Sequence, residues 1–342
     1  MSHNGSFLFG ELRWLICVNC RITSIIDAFT GLLRSRNEIG YGFIMSTHLL
    51  KYSLAILMIA GVSCSKNDDV SFRTNSSINR IQNQYDHIVM VVLENHAYDQ
   101  VVGNKDAPFI NGLLTNSHTA VFTQSYALTH PSQPNYVMLF SGSNQGIIDD
   151  KIPVDTPFTT PNLGAELLQN GYSFSGYSES LPYTGYTGVS FKSYFRTINP
   201  WVNWQGNGTN GIPSSLNIPF SQFPTDYTKL PTVSFVIPNL DDDMHNGTIA
   251  QGDQWLKTNL ELYINWAIDH NSLFILTYDE DDFSRVNQIL TFFTGARIKG
   301  GKYSQRITHY NVLRTVEDFY HLPYAGVSAD SSSLLGIVNS GL

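Results

Sequence analysis

The stretch ALTHPSQPNY, Ala127 to Tyr136, sets His130, Ser132 and Asn135 around Pro131 and Pro134, directly ahead of the apolar run VMLFSG. The prolines restrict the backbone, and the run after them reads as a helix start, which places Ser132 near a helix N-terminus. Such an end carries about half a unit of positive charge and unpaired amide donors, which suits a phosphate group. A serine there could simply cap the helix. With a metal beside it to lower the hydroxyl pKa, it could instead attack phosphorus. Asn135 could donate to a non-bridging phosphate oxygen, and His130 could act as donor or acid or sit as a structural histidine under a loop.

Acidic residues form a second pattern. Glu94-Asn95 follows the run HIVMVVL, the set Asn239, Asp241, Asp242, Asp243 and His245 follows VSFVIP, and Asp279-Glu280-Asp281-Asp282 follows SLFILTY. Each run is continuously apolar and rich in Val, Ile and Leu, as a strand buried on both faces should be. Between them lie helix-like segments, APFINGLLTNS, NLGAELLQNG, GDQWLKTNLELYINWAIDHN and HYNVLRTVEDFYHLP, the last stopped by a proline. Buried strands alternating with helices predict an α/β fold with a largely parallel sheet flanked by helices. In such sheets ligands bind at the carboxyl ends of the strands, so neighbouring parallel strands would gather the three clusters at one edge. Any one cluster could cap a helix or decorate a turn. Gathered together, the carboxylates repel one another, and a divalent cation is the simplest way to stabilise them. The oxygen-rich set suits Mg, Ca or Mn, and Zn if a histidine joins.

The chain has 342 residues and carries 20 Lys+Arg against 28 Asp+Glu, a formal charge of -8. Nothing in that balance resembles the basic footprint of a nucleic-acid binder. The three cysteines, Cys17, Cys20 and Cys64, all lie early, so the globular part has neither a disulfide nor a thiolate metal site. CVNC has the spacing of half a zinc knuckle without a second pair. The Tyr- and Trp-rich stretch from Tyr172 to Trp204 reads as an elaborate surface loop lining a pocket, or as a glycan-binding face on a non-catalytic surface protein.

From Met45, MSTHLLKYSLAILMIAGVSCSKNDD resembles a bacterial lipoprotein signal: His48 and Lys51 precede an apolar stretch, and small residues precede Cys64. The apolar run is shorter than the ~20 residues that span a bilayer. The expected organisation is a non-mature extension over 1–44, a signal peptide over 45–63, lipidation at Cys64, a polar tether over 64–84 and a catalytic domain over 85–342. This predicts a cell-envelope protein anchored to a membrane through Cys64.

The segments HIVMVVLENHAYDQVVGN, LTHPSQPNYVMLFSGSNQGI, PNLDDDMHNGTI, GDQWLKTNL, LFILTYDEDD and ITHYNVLRTVEDFYHLP, in that order from about Tyr85 to Pro323, resemble the phosphoesterase family of acid phosphatases and phospholipases C. The likeness is greatest to the short acid phosphatase branch with its phosphatidylinositol-3-phosphatase-like enzymes. The resemblance implies an alkaline-phosphatase-like fold and a serine nucleophile at Ser132, with His130 and Asn135 beside the phosphate. It implies a metal on Glu94, Asn95, Asp279 and Glu280, and it brings Asp243, His245 and His309 to the site. Asn246 departs from the family pattern, and Asp253 matches it but is equally explained as a helix N-cap. The expected activity is metal-dependent phosphomonoester hydrolysis of a small phosphorylated substrate or lipid headgroup, with His245 or His130 as the acid. A phospholipase C-like phosphodiesterase is the alternative within the family.

Overall fold

A computed structural model of the protein describes residues 84–339. The expected signal and lipidation segments, the tether up to residue 83 and all three cysteines lie outside the described residues. In chain order the elements are β1 (His87–Leu93), α1 (Tyr98–Val101), α2 (Pro108–Leu113), β2 (Thr119–Tyr126), α3 (Ser132–Ser141), α4 (Leu163–Gln169) and β3 (Phe174–Ser178). They continue with β4 (Ser190–Phe191), β5 (Tyr194–Phe195), β6 (Asn217–Pro219), β7 (Val233–Ile237), α5 (Ile249–Asp269), β8 (Ser272–Tyr278), β9 (Gln288–Gly295), β10 (Gly301–Thr308) and α6 (His309–Tyr320). Short 3-10 turns connect several of them.

Eight strands form one sheet in the order β10-β2-β9-β8-β1-β7-β3-β6, and β4 pairs with β5 in a separate ribbon. Only β9 runs against its neighbours, pairing antiparallel with β2 and β8, while the other pairings in the sheet are parallel. The sheet is therefore largely parallel, as expected. β1 shows why its sequence is continuously apolar. Ile88, Met90 and Val92 face one hydrophobic cluster, with Leu139 and Phe140 of α3 and Val312 and Val316 of α6. Val89, Val91 and Leu93 face the other, with Ile110 of α2 and Leu256 and Leu260 of α5. The side-chain period of two is intact, but both faces are covered, so no polar residue alternates.

The Tyr/Trp-rich stretch behaves differently from expectation. Trp201 and Trp204 are fully buried and pack around Phe140, Phe174 and Phe235. Their indole nitrogens donate to Asn217 Oδ1 and to the Thr160 carbonyl, both at 2.9 Å. Gly176 of β3 leaves room for the Trp201 ring, which a Cβ would meet at 2.0 Å. Burial of large amphipathic rings outweighs their surface preference at Tyr177, Tyr194, Trp201 and Trp204, which belong to the core, while Tyr183, Phe191 and Phe195 of the same stretch stay exposed.

Candidate active site

β8, β1 and β7 are adjacent and parallel, so their carboxyl ends open side by side. Chain geometry ties them together beyond the ladder: Glu94 N donates to the Asp243 carbonyl at 2.9 Å, and Asp279 N to the Leu93 carbonyl at 3.0 Å. Asn95, in a left-handed conformation with φ 52, turns the chain so that its N–H donates to Asp279 Oδ1 at 3.1 Å and its Nδ2 to Glu280 Oε1 at 3.0 Å. Asparagine is one of the few side chains that tolerates that backbone.

Ser132 opens α3, and its Oγ donates to Glu280 Oε1 at 2.9 Å. His130 spans two carboxylates, with Nδ1 2.7 Å from Glu280 Oε2 and Nε2 3.2 Å from Asp281 Oδ1. His245 is exposed, its Nδ1 2.8 Å from Glu94 Oε2 and 2.6 Å from Asn95 Oδ1. Its backbone N–H is held by Asp243 Oδ1 at 2.8 Å. Ser132, His130, His245, Asp243, Glu94, Asn95, Asp279 and Glu280 are thus brought to one place.

The electrostatics follow from crowding. Glu94, Asp243, Asp279 and Glu280 are each at most 1% exposed. Burial first, and then the Glu94 charge, push the Asp243 and Asp279 carboxyls well above the usual range. Burial pushes Glu280 up to about 8, against the lowering effect of the Ser132 hydrogen bond. The hydrogen bond to Glu94 raises the His245 pKa, opposed by partial burial. Glu94 Oε1, Asp243 Oδ2 and Asp279 Oδ2 are buried without a hydrogen-bond partner. Among the described residues, no group of three or more His, Cys, Asp or Glu side chains forms a ready-made metal cage.

Two expected substrate contacts are placed otherwise. Asn135 is fully buried, and its amide is consumed by the preceding loop: Oδ1 accepts from Leu128 N and Thr129 N, and Nδ2 donates to the Thr129 and Pro131 carbonyls. It holds the loop that carries His130 and has no donor left for phosphate. His309 is buried, and its Nε2 donates to the Tyr278 carbonyl at 2.8 Å, one residue before Asp279. Burial lowers its pKa to about 4, so it is neutral, with Nδ1 bare and unpartnered. It offers a lone pair rather than a positive charge.

The helix end is also less open than expected. Gln133 N already donates to Asp150 Oδ1 at 2.9 Å, and Pro134 has no N–H. Asp150 escaped the sequence reading because an acid in a loop carries no pattern. Tyr136 closes the ALTHPSQPNY stretch without having been singled out: its buried hydroxyl faces Glu94, Asp279 and Asp243, and burial, reinforced by their charges, holds its pKa well above the usual value. Within the clusters, Asn239, Asp241 and Asp242 bond among themselves and to Ser193 and Gln251, shaping the turn rather than the site. Asp253 caps a different helix from the one predicted. It lies inside α5, whose own cap is Thr248, and its carboxylate accepts Phe109 N and Ile110 N at the start of α2.

A family model described as "Phosphoesterase family" matches residues 104–323. The chain is 48% identical over 253 residues to a phosphatidylinositol-3-phosphatase of Mycobacterium tuberculosis, covering 73% of this chain and 82% of that protein. It is 29% identical to a probable acid phosphatase of Kluyveromyces lactis, covering 73% of this chain and 61% of that protein. It thus spans about three fifths of that fungal relative. Among solved structures, a protein of the alkaline phosphatase superfamily from Vibrio parahaemolyticus superposes with a TM-score of 0.50 at 13% identity, covering 70% of this chain and 67% of that one. A 2-O GAG sulfatase gives 0.50 at 11%, covering 76% and 75%. The fold is that of the alkaline phosphatase superfamily.

Proposed function

The chain belongs to the phosphoesterase family and is a hydrolase of phosphoric esters, and from that premise we propose that it cleaves phosphate monoesters through Ser132 with a divalent cation. The observation that carries this is the Ser132 hydroxyl, hydrogen-bonded to Glu280 amid four buried carboxylates at three adjacent strand ends. An N-cap serine would point its oxygen at its own helix; this one points its proton at a carboxylate.

The donor set fits a hard cation. Buried, unpartnered carboxylate oxygens on Glu94, Asp243 and Asp279 are costly unless a charge or a proton satisfies them. Glu94, Asn95, Asp279 and Glu280 would hold the ion, which supplies charge neutralisation and a lowered hydroxyl pKa when bound.

The chain's own residues account for the rest. Ser132 Oγ, its proton given up to solvent, attacks phosphorus in line, forming the Oγ–P bond as the bond from phosphorus to the leaving oxygen breaks. His245 or His130 gives a proton to the departing alkoxide, and water then releases phosphate from the phosphoserine. Phosphoryl transfer asks mainly for positioning and charge stabilisation, which rigid strand ends supply. Acid phosphatases among the relatives support an acidic optimum here, and the phosphatidylinositol-3-phosphatase supports a phosphorylated lipid headgroup or a small phosphorylated alcohol as substrate.

The test is turnover of p-nitrophenyl phosphate against bis(p-nitrophenyl) phosphate, with and without EDTA. Monoester preference lost on chelation supports the reading, and diester preference favours the phospholipase C-like alternative. A rate that climbs steadily above pH 7 would remove the acidic optimum. We further place the enzyme at the cell envelope, lipid-anchored at Cys64, a reading from sequence alone. Incorporation of labelled palmitate that persists in Cys64→Ala would overturn it.

A further inference from the structure

Phe283 lies in the loop after β8, 68% exposed, with its ring stacked on His130 at 3.8 Å between centroids and 23° between planes. Its φ is 63, in the left-handed region where a bulky aromatic is strained. Such strain persists only where the surroundings over-determine the backbone, and here they do. Asp281 Oδ1 accepts Phe283 N at 2.9 Å, and Asp281 Oδ2 accepts Asn287 N at 2.8 Å. Asn287 Oδ1 accepts Asp281 N at 2.9 Å, and Asn287 Nδ2 reaches the Thr129 carbonyl at 2.9 Å, tying the loop to the segment that carries His130. A large apolar ring is therefore held out in solvent, one face on the imidazole and the rest of its surface free.

We propose that Phe283 is a specificity-determining residue, a platform for the leaving group that favours phosphomonoesters whose alcohol carries a planar or ring face over those of short acyclic polyols. This rests on the monoesterase reading, in which His130 is one of the two candidate acids. His130 and Ser132 bond to the same Glu280 carboxylate, so a ring stacked on His130 stands at the rim of the pocket that receives the ester and offers its free face to the alcohol. An exposed aromatic face contributes there by stacking or apolar contact. Val286, 75% exposed in the same loop, extends the apolar rim.

The experiment compares kcat/KM for p-nitrophenyl phosphate and glycerol 2-phosphate in the full chain, in wild type, Phe283→Ala and Phe283→Trp. Phe283→Ala is expected to lower the aryl-to-glycerol ratio about 3- to 10-fold, chiefly through KM, and Phe283→Trp to preserve it. If Phe283 acted only by steadying His130, the ratio would move the other way, because the glycerol alkoxide needs a proton to leave and nitrophenolate does not. An unchanged or increased ratio therefore overturns the proposal. Wild type that turns over neither monoester would instead refute the underlying monoesterase reading, and the platform would fall with it.

Discussion

At Ser132 the side chain is 7% exposed and hydrogen-bonded to a single carboxylate oxygen that Asn95 also serves. Ser132→Ala should therefore leave folding almost untouched while lowering kcat by at least about 10²- to 10³-fold, the scale of losing one transition-state group. Thermal melts beside steady-state kinetics check both halves. Asn135→Ala should behave in the opposite sense. It strips four loop partners at once, so the melt should fall by the equivalent of about 2–4 kcal/mol, with kcat reduced through a displaced His130. A phosphate-binding asparagine would instead raise KM with the melt unchanged. The two residues looked alike in sequence, since the polar atoms of both sit beside prolines and their partners lie elsewhere in the chain or across the loop.

Between elements, the clearest prediction concerns α4 and α6. Glu166 of α4 is 4% exposed with neither carboxylate oxygen partnered, while Glu317 of α6 accepts from Ala325 N and Ser328 Oγ. Burial, and then the Glu317 charge, push Glu166 from 4.5 up to about 8. Burial pushes Glu317 from 4.5 up to about 7. Folded-state values above the unfolded ones mean that the native state binds more protons, so stability is full below about 4.5 and declines as pH rises toward 7–8. Glu166→Gln should flatten that decline, gaining on the order of 1 kcal/mol at pH 8 and little at pH 4.5. Urea melts across that range test it, and a wild-type stability that rises from pH 5 to pH 8 would sink it. Helix existence was legible from periodicity in α5 and from the terminal proline in α6. The burial of all ten residues of α3 erased its period, leaving only its proline-marked start readable.

For the whole molecule, the consequence of packing acids at neighbouring strand ends is that a cation should stabilise the fold as well as the chemistry. Added divalent ion at 100 times its Kd should raise stability by about 2.7 kcal/mol, and EDTA should lower the melting temperature together with activity. Titrating Mg, Ca, Mn and Zn separately by thermal shift ranks the candidates without an activity assay. A melt indifferent to all four and to EDTA would contradict a cation bound to Glu94, Asn95, Asp279 and Glu280. β9, inserted antiparallel between β2 and β8, leaves this arrangement intact because it lies on the far side of β8 from β1 and β7.

The sequence by itself determined the α/β class, three of the buried strands and the helices between them, and the gathering of the acids at one edge, while Ser132's place among them was what the family resemblance implied. Each depends on local composition, or on the rule that parallel strands present their carboxyl ends together. Only the tertiary structure decided which polar atoms remain free. Asn135 and Asp253 are spent on other backbones, His309 is neutralised by burial, Asp150 reaches the helix end from a loop, and Phe283 is pressed onto His130. Hydrogen-bond satisfaction and desolvation depend on partners distant in the chain, and no spacing along the sequence records them.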